Sequence, residues 1–156
     1  MSRKPKYKKR SITPDRLYKN KLVSKFINHV MLDGKKTIAE RMVYDSFEIL
    51  SKKVANAPLE SFVQSIETIT PKMEVKSRRV GGSTYQVPVE VAKKRGYTLA
   101  MKWIIDNARK KTGVSFSERL SSELIDAYNN TGAIAKKRDD THKMAEANKA
   151  FSHFRW

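Results

Sequence analysis

Residues 73–91, MEVKSRRVGGSTYQVPVEV, alternate apolar and polar side chains on both sides of the glycine pair Gly81 and Gly82. Two consecutive glycines suit the tight turn of a β-hairpin, because both central residues of such a turn can require a positive φ, which glycine adopts without a Cβ clash. The turn fixes the strand register and pairs Val80 with Ser83. This stretch therefore predicts an antiparallel β-hairpin arm.

The faces of the predicted hairpin do not suit a buried sheet. One face carries Lys76, Arg78, Val80, Tyr85 and Val87, and the other carries Val75, Ser77, Arg79, Thr84 and Pro88. Neither face is apolar near the tip, so we expect the tip to project from the body. Arginines that flank a tyrosine suit phosphate groups and stacked bases. The alternative is an exposed hairpin whose charges only solvate it.

A hairpin of two strands is marginally stable in water and needs a base to stand on. Apolar residues at helical spacing predict five helices beside it, which begin near Tyr18, Lys35, Pro58, Lys93 and Phe116. We expect the first helix to end at Asp33 and Gly34, and the fifth near Gly132. A sixth helical segment follows. The sequence thus predicts a mainly α fold in a single domain of residues 1–156, a bundle of about six helices with one protruding hairpin.

Residues 133–156 form a C-terminal helix and tail of a different kind. After Ile134 no apolar stripe continues, and the chain finishes with the aromatic residues Phe151, Phe154 and Trp156. A helix that is polar on nearly all sides either bridges to another surface or is held by one. Packing onto the protein's own core is an equal alternative, and the sequence leaves both open.

The charge of the chain is strongly unbalanced. It has 33 lysines and arginines against 16 acidic residues, which gives a formal net charge of +17 over 156 residues. Such a field attracts polyanions and makes their binding depend on salt. A membrane surface is the weaker candidate, because no apolar run approaches the length that spans a bilayer and no signal peptide follows the basic start. The absence of cysteine fits a reducing compartment such as the cytosol.

Two groups of cations are candidates for contact with nucleic acid. The basic N-terminal extension spans residues 1–16, and its opening segment, residues 3–10, is expected to be a disordered arm when free. Its candidate contacts are Arg3, Lys4, Lys6, Lys8, Lys9 and Arg10. Lys93, Lys94 and Arg95 come at the start of a helix, where cations oppose the helix dipole. Their position indicates a role other than helix stability.

The side chains that could support catalysis are scattered. His29, His142 and His153 have no metal-binding spacing. The adjacent acids Asp139 and Asp140 point apart on a helix, which does not suit shared acid–base chemistry. The sequence therefore predicts a protein that is not an enzyme and that uses no cofactor and no metal.

Three groups of residues together resemble one known family. The first consists of Asn20-Lys21-Leu22, Phe26-Ile27, Gly34-Lys35-Lys36, Met42-Val43 and Ser46. The second is the hairpin, from Lys76 to Gly82 and from Thr84 to Val91. The third is the ending, with Ala135, Lys136, Lys137, Arg138, His142, Met144, Phe151, Phe154, Arg155 and Trp156. By these motifs the chain is similar, nearly from end to end, to the bacterial form of the universal ribosomal protein seven family of the small subunit.

The resemblance implies a primary rRNA-binding protein that nucleates assembly of the head, the 3′ major domain of 16S rRNA, in the cytoplasmic ribosome of a bacterium, with the ribosome of a chloroplast or another organelle as the weaker alternative. It implies a position near the mRNA exit and the exit-site tRNA, with a tail that approaches a neighbouring platform protein. The implied rRNA contacts are the N-terminal arm, Lys35, Lys36, Lys76, Arg78, Arg79, Tyr85, Lys93, Lys94 and Arg95. The residues implied to lie near tRNA or mRNA are Arg79, Gly81, Gly82, Ser83, Lys143, Arg155 and Trp156.

A DNA-architectural protein is the main alternative, because a helical base with basic β-arms also describes proteins that bend duplex DNA. That class usually inserts a side chain between bases, and the tip here offers only Gly81 and Gly82. One segment, residues 92–97, departs from the proline- and arginine-rich form of the ribosomal family. Its Gly96 weakens the start of a helix.

Overall fold

The computed structural model describes residues 11–54 and 56–154, so the predicted contacts at residues 3–10, 155 and 156 lie outside the described residues. Within these ranges the elements are α1 (Lys21–Val30), α2 (Lys36–Val54), α3 (Pro58–Ile69), β1 (Met73–Val80), β2 (Ser83–Glu90), α4 (Lys93–Lys110), α5 (Phe116–Tyr128), α6 (Gly132–Ala147) and a short 3₁₀ helix (Lys149–Phe154). The predicted class, a mainly helical fold with one antiparallel hairpin, is confirmed.

The hydrophobic core lies between helices α1 to α5 and the start of α6, where Ile134 and Ala135 join it. Its centre is a set of three fully buried rings, in which Phe62 lies 5.0 Å from Phe26 and 4.8 Å from Phe47 between ring centroids. Burial of each such side chain stabilises the fold by about 1.5–3 kcal/mol. Of the helices within the described ranges, none combines the length and the apolar character that crossing a bilayer requires.

Side-chain caps fix the starts of two helices. The Asn20 side chain accepts a hydrogen bond from the Leu22 amide (2.7 Å), so α1 begins at Lys21 rather than near Tyr18 as expected. The Ser115 hydroxyl accepts a hydrogen bond from the Glu118 amide (3.3 Å) at the start of α5. These bonds satisfy amides that have no partner inside the helix.

Two turns with positive φ separate neighbouring helices. Asp33 (52°) and Gly34 (74°) form the predicted turn between α1 and α2. The end of the fifth helix was expected near Gly132, but α5 ends at Tyr128 because Asn130 (57°) reverses the chain. Gly132 (81°) instead opens α6.

The hairpin has the register that the sequence predicts. β1 and β2 are antiparallel, and Val80 pairs with Ser83 next to the turn. Gly81 and Gly82 have φ values of 57° and 91°, which suit the two central positions of a type I′ turn. The turn therefore determines which side chains share a face.

The C-terminal segment packs onto the protein itself. Ala135 and Ala145 of α6 are buried, and Arg138 of α6 donates a hydrogen bond to the Thr68 carbonyl at the end of α3 (2.7 Å). The 3₁₀ helix does not reach the helical core and lies instead against β2. Packing onto the protein itself is therefore seen for the alanines of α6, whereas the aromatic residues Phe151 and Phe154 pack on Tyr85 of β2 and not on the core. A contact of this segment with another surface stays a prediction.

Candidate nucleic-acid interface

The distal half of the hairpin presents unpaired guanidinium groups. Arg79 is exposed and Arg78 is half-buried, beside the exposed tip residues Gly81, Gly82 and Ser83. Among the described residues, neither arginine side chain forms an ion pair or a hydrogen bond. Guanidinium groups in this state are available for bidentate contact with phosphate.

Arg95, a predicted rRNA contact, has an internal partner. Its Nε donates hydrogen bonds to both carboxylate oxygens of Glu74 at 2.9 Å, and its Nη2 lies 2.8 Å from Oε2. Glu74 is only 8% exposed, and the hydrogen bond from Arg95 holds the pKa of this carboxyl below its usual value. The pair joins β1 to the start of α4. The predicted rRNA contact of Arg95 stays a prediction.

Lys93 and Lys94 share a groove with cations of another helix. The groove, of about 640 Å³, is lined by Ser11, Ile12, Lys21, Leu22, Lys25, Lys93, Lys94 and Tyr97. The Lys25 ammonium donates a hydrogen bond to Thr98 Oγ1 (2.5 Å). Burial and then the charge of Lys94 lower the pKa of Lys25, because both disfavour its charged form.

Sequence reasoning missed Lys21 and Lys25 as members of this group. The available signal is their spacing, since residues four apart lie on the same side of a helix. The positive charge of Lys93 is partly compensated within the protein, because its Nζ lies 3.9 Å from the Glu67 carboxylate and 5.5 Å from the centroid of the Tyr97 ring. The groove as a whole is a cationic surface that an anion would stabilise.

Lys35 and Lys36 lie at the other end of the molecule. Helices α1 and α4 run in the same direction, because Lys25 contacts Thr98 while the Arg109 guanidinium donates to the Val30 carbonyl (3.1 Å). The turn after α1 therefore lies near the end of α4. A helical rise of 1.5 Å per residue separates that end from Lys93 by about 24 Å. The predicted rRNA contacts thus form an extended surface and not one compact pocket.

Two predicted contact residues and one histidine belong to β2 and α6. Tyr85 is half-buried and its ring packs on Phe151 and Phe154, whereas Lys143 is exposed on α6. His142 Nε2 accepts a hydrogen bond from the Lys72 amide (3.0 Å). Burial, followed by the charge of Arg138, lowers the pKa of His142. Its packing role is visible in the structure, and the RNA contacts of Tyr85 and Lys143 stay predictions.

The helical body displays cations in the groove between α1 and α4 and on the hairpin. These features define a basic protein of the polyanion-binding class. The chain matches the family described as "Ribosomal protein S7p/S5e" over residues 2–149. It is 53% identical over 156 residues to the small ribosomal subunit protein uS7 of Thermomicrobium roseum, and 55% identical over 157 residues to that of Francisella tularensis subsp. holarctica, with 100% of each chain covered. The chain therefore belongs to the ribosomal protein S7p/S5e family.

Family membership gives the coarse role of the chain. It is a structural protein of the small ribosomal subunit of the bacterial cytoplasm, and its partners are rRNA and other ribosomal proteins. The family is one of ribosomal structural proteins and not a family of enzymes. The resemblance drawn from the residues is confirmed. Within the part of the chain that the structure describes, no cluster of three or more histidine or acidic side chains could hold a metal ion.

Proposed function

We propose that this protein binds the head domain of small-subunit rRNA, the 3′ major domain of 16S rRNA, and nucleates its folding early in assembly. The observation that carries this proposal is that Arg78 and Arg79, near the tip of a hairpin on a helical base, have no ion-pair or hydrogen-bond partner for their side chains within residues 11–54 and 56–154. The role is binding and organisation of RNA, with no catalytic step.

Phosphate contacts supply most of the proposed affinity. The formal net charge of +17 attracts RNA at long range and concentrates the protein around it. If about eight phosphates are neutralised, the logarithm of the affinity falls with the logarithm of salt concentration at a slope of roughly −6 to −7. Such contacts orient the protein on RNA but carry little sequence information.

Specificity comes from the shape of the RNA. The major groove of an A-form helix is too deep and narrow for side chains to read base edges. The hairpin and the cations near Lys93 lie at one end of α4, and Lys35 and Lys36 follow a turn near its other end, about 24 Å further along the helix axis. A surface of this length fits a folded junction with several backbones in fixed positions better than a single regular duplex.

The finer placement within the ribosome is part of the same proposal. The hairpin tip, with Gly81, Gly82 and Ser83, and α6, with Lys143, would face the exit-site tRNA and the mRNA exit path. The tail would approach a neighbouring platform protein. The exposure of the tip and of Lys143 supports these assignments.

Charge reversal at the hairpin tests the rRNA role. The double variant Arg78→Glu/Arg79→Glu is expected to bind a head-domain rRNA fragment at least tenfold more weakly, with a salt slope shallower by about 1.4–1.8 because two phosphate contacts are lost. Its helical circular-dichroism spectrum should match that of the unmodified protein, since neither side chain packs in the core. Filter binding over a series of salt concentrations measures both quantities.

The matched control is Arg41→Glu/Lys53→Glu, which changes the net charge by the same amount at two exposed positions of α2. This control should lower affinity only through the long-range field and leave the salt slope unchanged. Equal losses of affinity and slope in the two variants would contradict a specific role for the hairpin.

A further inference from the structure

The base and the distal half of the hairpin are held by different contacts. At the base, the Glu74–Arg95 pair and the hydrogen bond from the Lys72 amide to His142 join β1 to α4 and α6. Val87 is fully buried there. None of these contacts reaches the strand positions next to the turn. Two strands alone are marginal in water, so the distal half needs support of its own.

That support comes from the 3₁₀ helix at Lys149–Phe154. The Tyr85 ring lies 5.3 Å from the Phe151 ring and 5.0 Å from the Phe154 ring, measured between centroids. Tyr85 is the cross-strand partner of Arg78. The aromatic cluster of Tyr85, Phe151 and Phe154 therefore lies at the same position along the hairpin as Arg78, one of the two proposed phosphate contacts.

The 3₁₀ helix is short and buries little of its own surface. It is six residues long and contains no buried residue. Phe151 and Phe154 are half-buried, and the rings of the hairpin and of the 3₁₀ helix cover one another. Aromatic pairs at these distances contribute favourable energy beyond the area that they bury. Each of the two elements thus covers aromatic surface of the other.

We propose that the C-terminal 3₁₀ helix is a strap that holds the distal hairpin in its binding conformation before RNA arrives. Phe151 and Phe154 are positioning residues, which act on RNA through Tyr85 and its partner Arg78. A preformed arm binds more tightly than a mobile one, because less conformational entropy is lost on association. The effect on RNA rests on the proposed rRNA-binding function, whereas the ordering of the hairpin is a property of the free protein.

The first test is hydrogen exchange of the free protein. The variant Phe151→Ala/Phe154→Ala should exchange the hairpin amides of residues 77–86 about tenfold faster, while amides of α1 to α5 keep their protection. The variant Phe151→Tyr/Phe154→Tyr, which keeps both rings, should exchange these amides as slowly as the unmodified protein. Phe116→Ala is the matched control, since this half-buried ring packs on the helical core and its loss should not act selectively on the hairpin. Unchanged exchange in the alanine double variant would overturn the strap.

The second test is binding to the head-domain rRNA fragment. The alanine double variant should bind several-fold more weakly with an unchanged salt slope, because no cation is removed. Weaker binding with unchanged hairpin exchange would mean that the rings contact RNA directly, and would overturn the proposal. Faster exchange with unchanged affinity would contradict preorganisation. If the unmodified protein does not recognise the fragment, the proposed function fails, and hydrogen exchange still decides whether the strap orders the hairpin.

Discussion

At the scale of the residue, Gly96 allows α4 to begin close to the end of α3. A Cβ at this position would lie 2.6 Å from Thr70 Cγ2, which is closer than real Cβ contacts. The sequence suggests only that glycine weakens a helix start, because the neighbouring chain is distant in sequence. Close packing explains why the weaker helix former is used.

Gly96→Ala should therefore lower the free energy of unfolding by a net value of about 1–2 kcal/mol. Overpacking costs typically about 1–3 kcal/mol, and the better helix propensity of alanine returns at most about 1 kcal/mol. Urea unfolding followed by circular dichroism measures the change.

Thr70→Ser provides the matched rescue for Gly96→Ala. Serine removes the methyl group that the new Cβ would strike and keeps the hydroxyl that donates to the Ile66 carbonyl (2.6 Å). The double variant should recover most of the lost stability. A stabilising effect of Gly96→Ala alone would contradict the close-packing explanation.

His142 makes stability depend on pH. Burial, the charge of Arg138 and the charge of Lys72 lower its pKa from the usual 6.5, and Asp139 opposes them. As the pH falls, His142 takes up a proton in the unfolded chain before it does so in the folded protein. Its contribution to the free energy of unfolding is therefore complete above about pH 6.5 and is lost as the pH drops toward the lower pKa of the folded state. His29, whose pKa is lowered by burial and by Lys25, contributes in the same direction.

His142→Gln should reduce this loss of stability between pH 7.5 and 5.5, since glutamine accepts the Lys72 hydrogen bond without titrating. Urea unfolding at a series of pH values gives the comparison. His153→Gln is the control, because this exposed ring bonds only within its own turn, to the Ala150 carbonyl. Parallel pH profiles for the unmodified protein and His142→Gln would show that this histidine does not couple to folding.

At the scale of the element, contacts between segments that are distant in sequence fix the position of the hairpin relative to the helices. The alternation about Gly81 and Gly82 predicted the hairpin and its register, since that signal is local. The 3₁₀ helix and its contact with Tyr85 were not predicted, because the spacing of Phe151 and Phe154 can place both rings on one face but does not show that a distant strand covers that face. The role of Glu74 was also invisible, since its partner Arg95 is 21 positions away.

The Glu74–Arg95 pair gives the prediction at this scale. Glu74→Gln should lower the urea midpoint at neutral pH, because glutamine does not form the ionic contact and the position is almost fully buried. The pKa of Glu74 is lowered in the folded protein, so its contribution is present above about pH 4.5 and is lost as the pH falls through the folded value. Unfolding of both proteins at neutral and acidic pH measures this difference.

Glu48→Gln is the control for this substitution. It removes an equally short carboxylate–ammonium contact, 2.8 Å from Lys52, at a position where both side chains are exposed. Exposed pairs contribute little, so its midpoint should change much less than that of Glu74→Gln. Equal effects would contradict a special role of the hairpin base.

At the scale of the whole molecule, cations are distributed over surfaces that the fold assembles. The net charge of +17 indicated a polyanion partner without any structure. Composition could not show that Lys21 and Lys25 join Lys93 and Lys94 in one groove, because this depends on the packing of α1 on α4. It also could not show that Lys35 and Lys36 lie near the opposite end of α4.

The central claim is that this surface recognises folded rRNA and not any polyanion. The most direct measurement is competition binding at two salt concentrations, with a labelled head-domain rRNA fragment challenged by duplex DNA and by unrelated structured RNA. We predict that the fragment stays bound against both competitors at the higher salt concentration, where general phosphate attraction is weakened. Equal displacement by duplex DNA would contradict the claim and leave only a general polyanion binder.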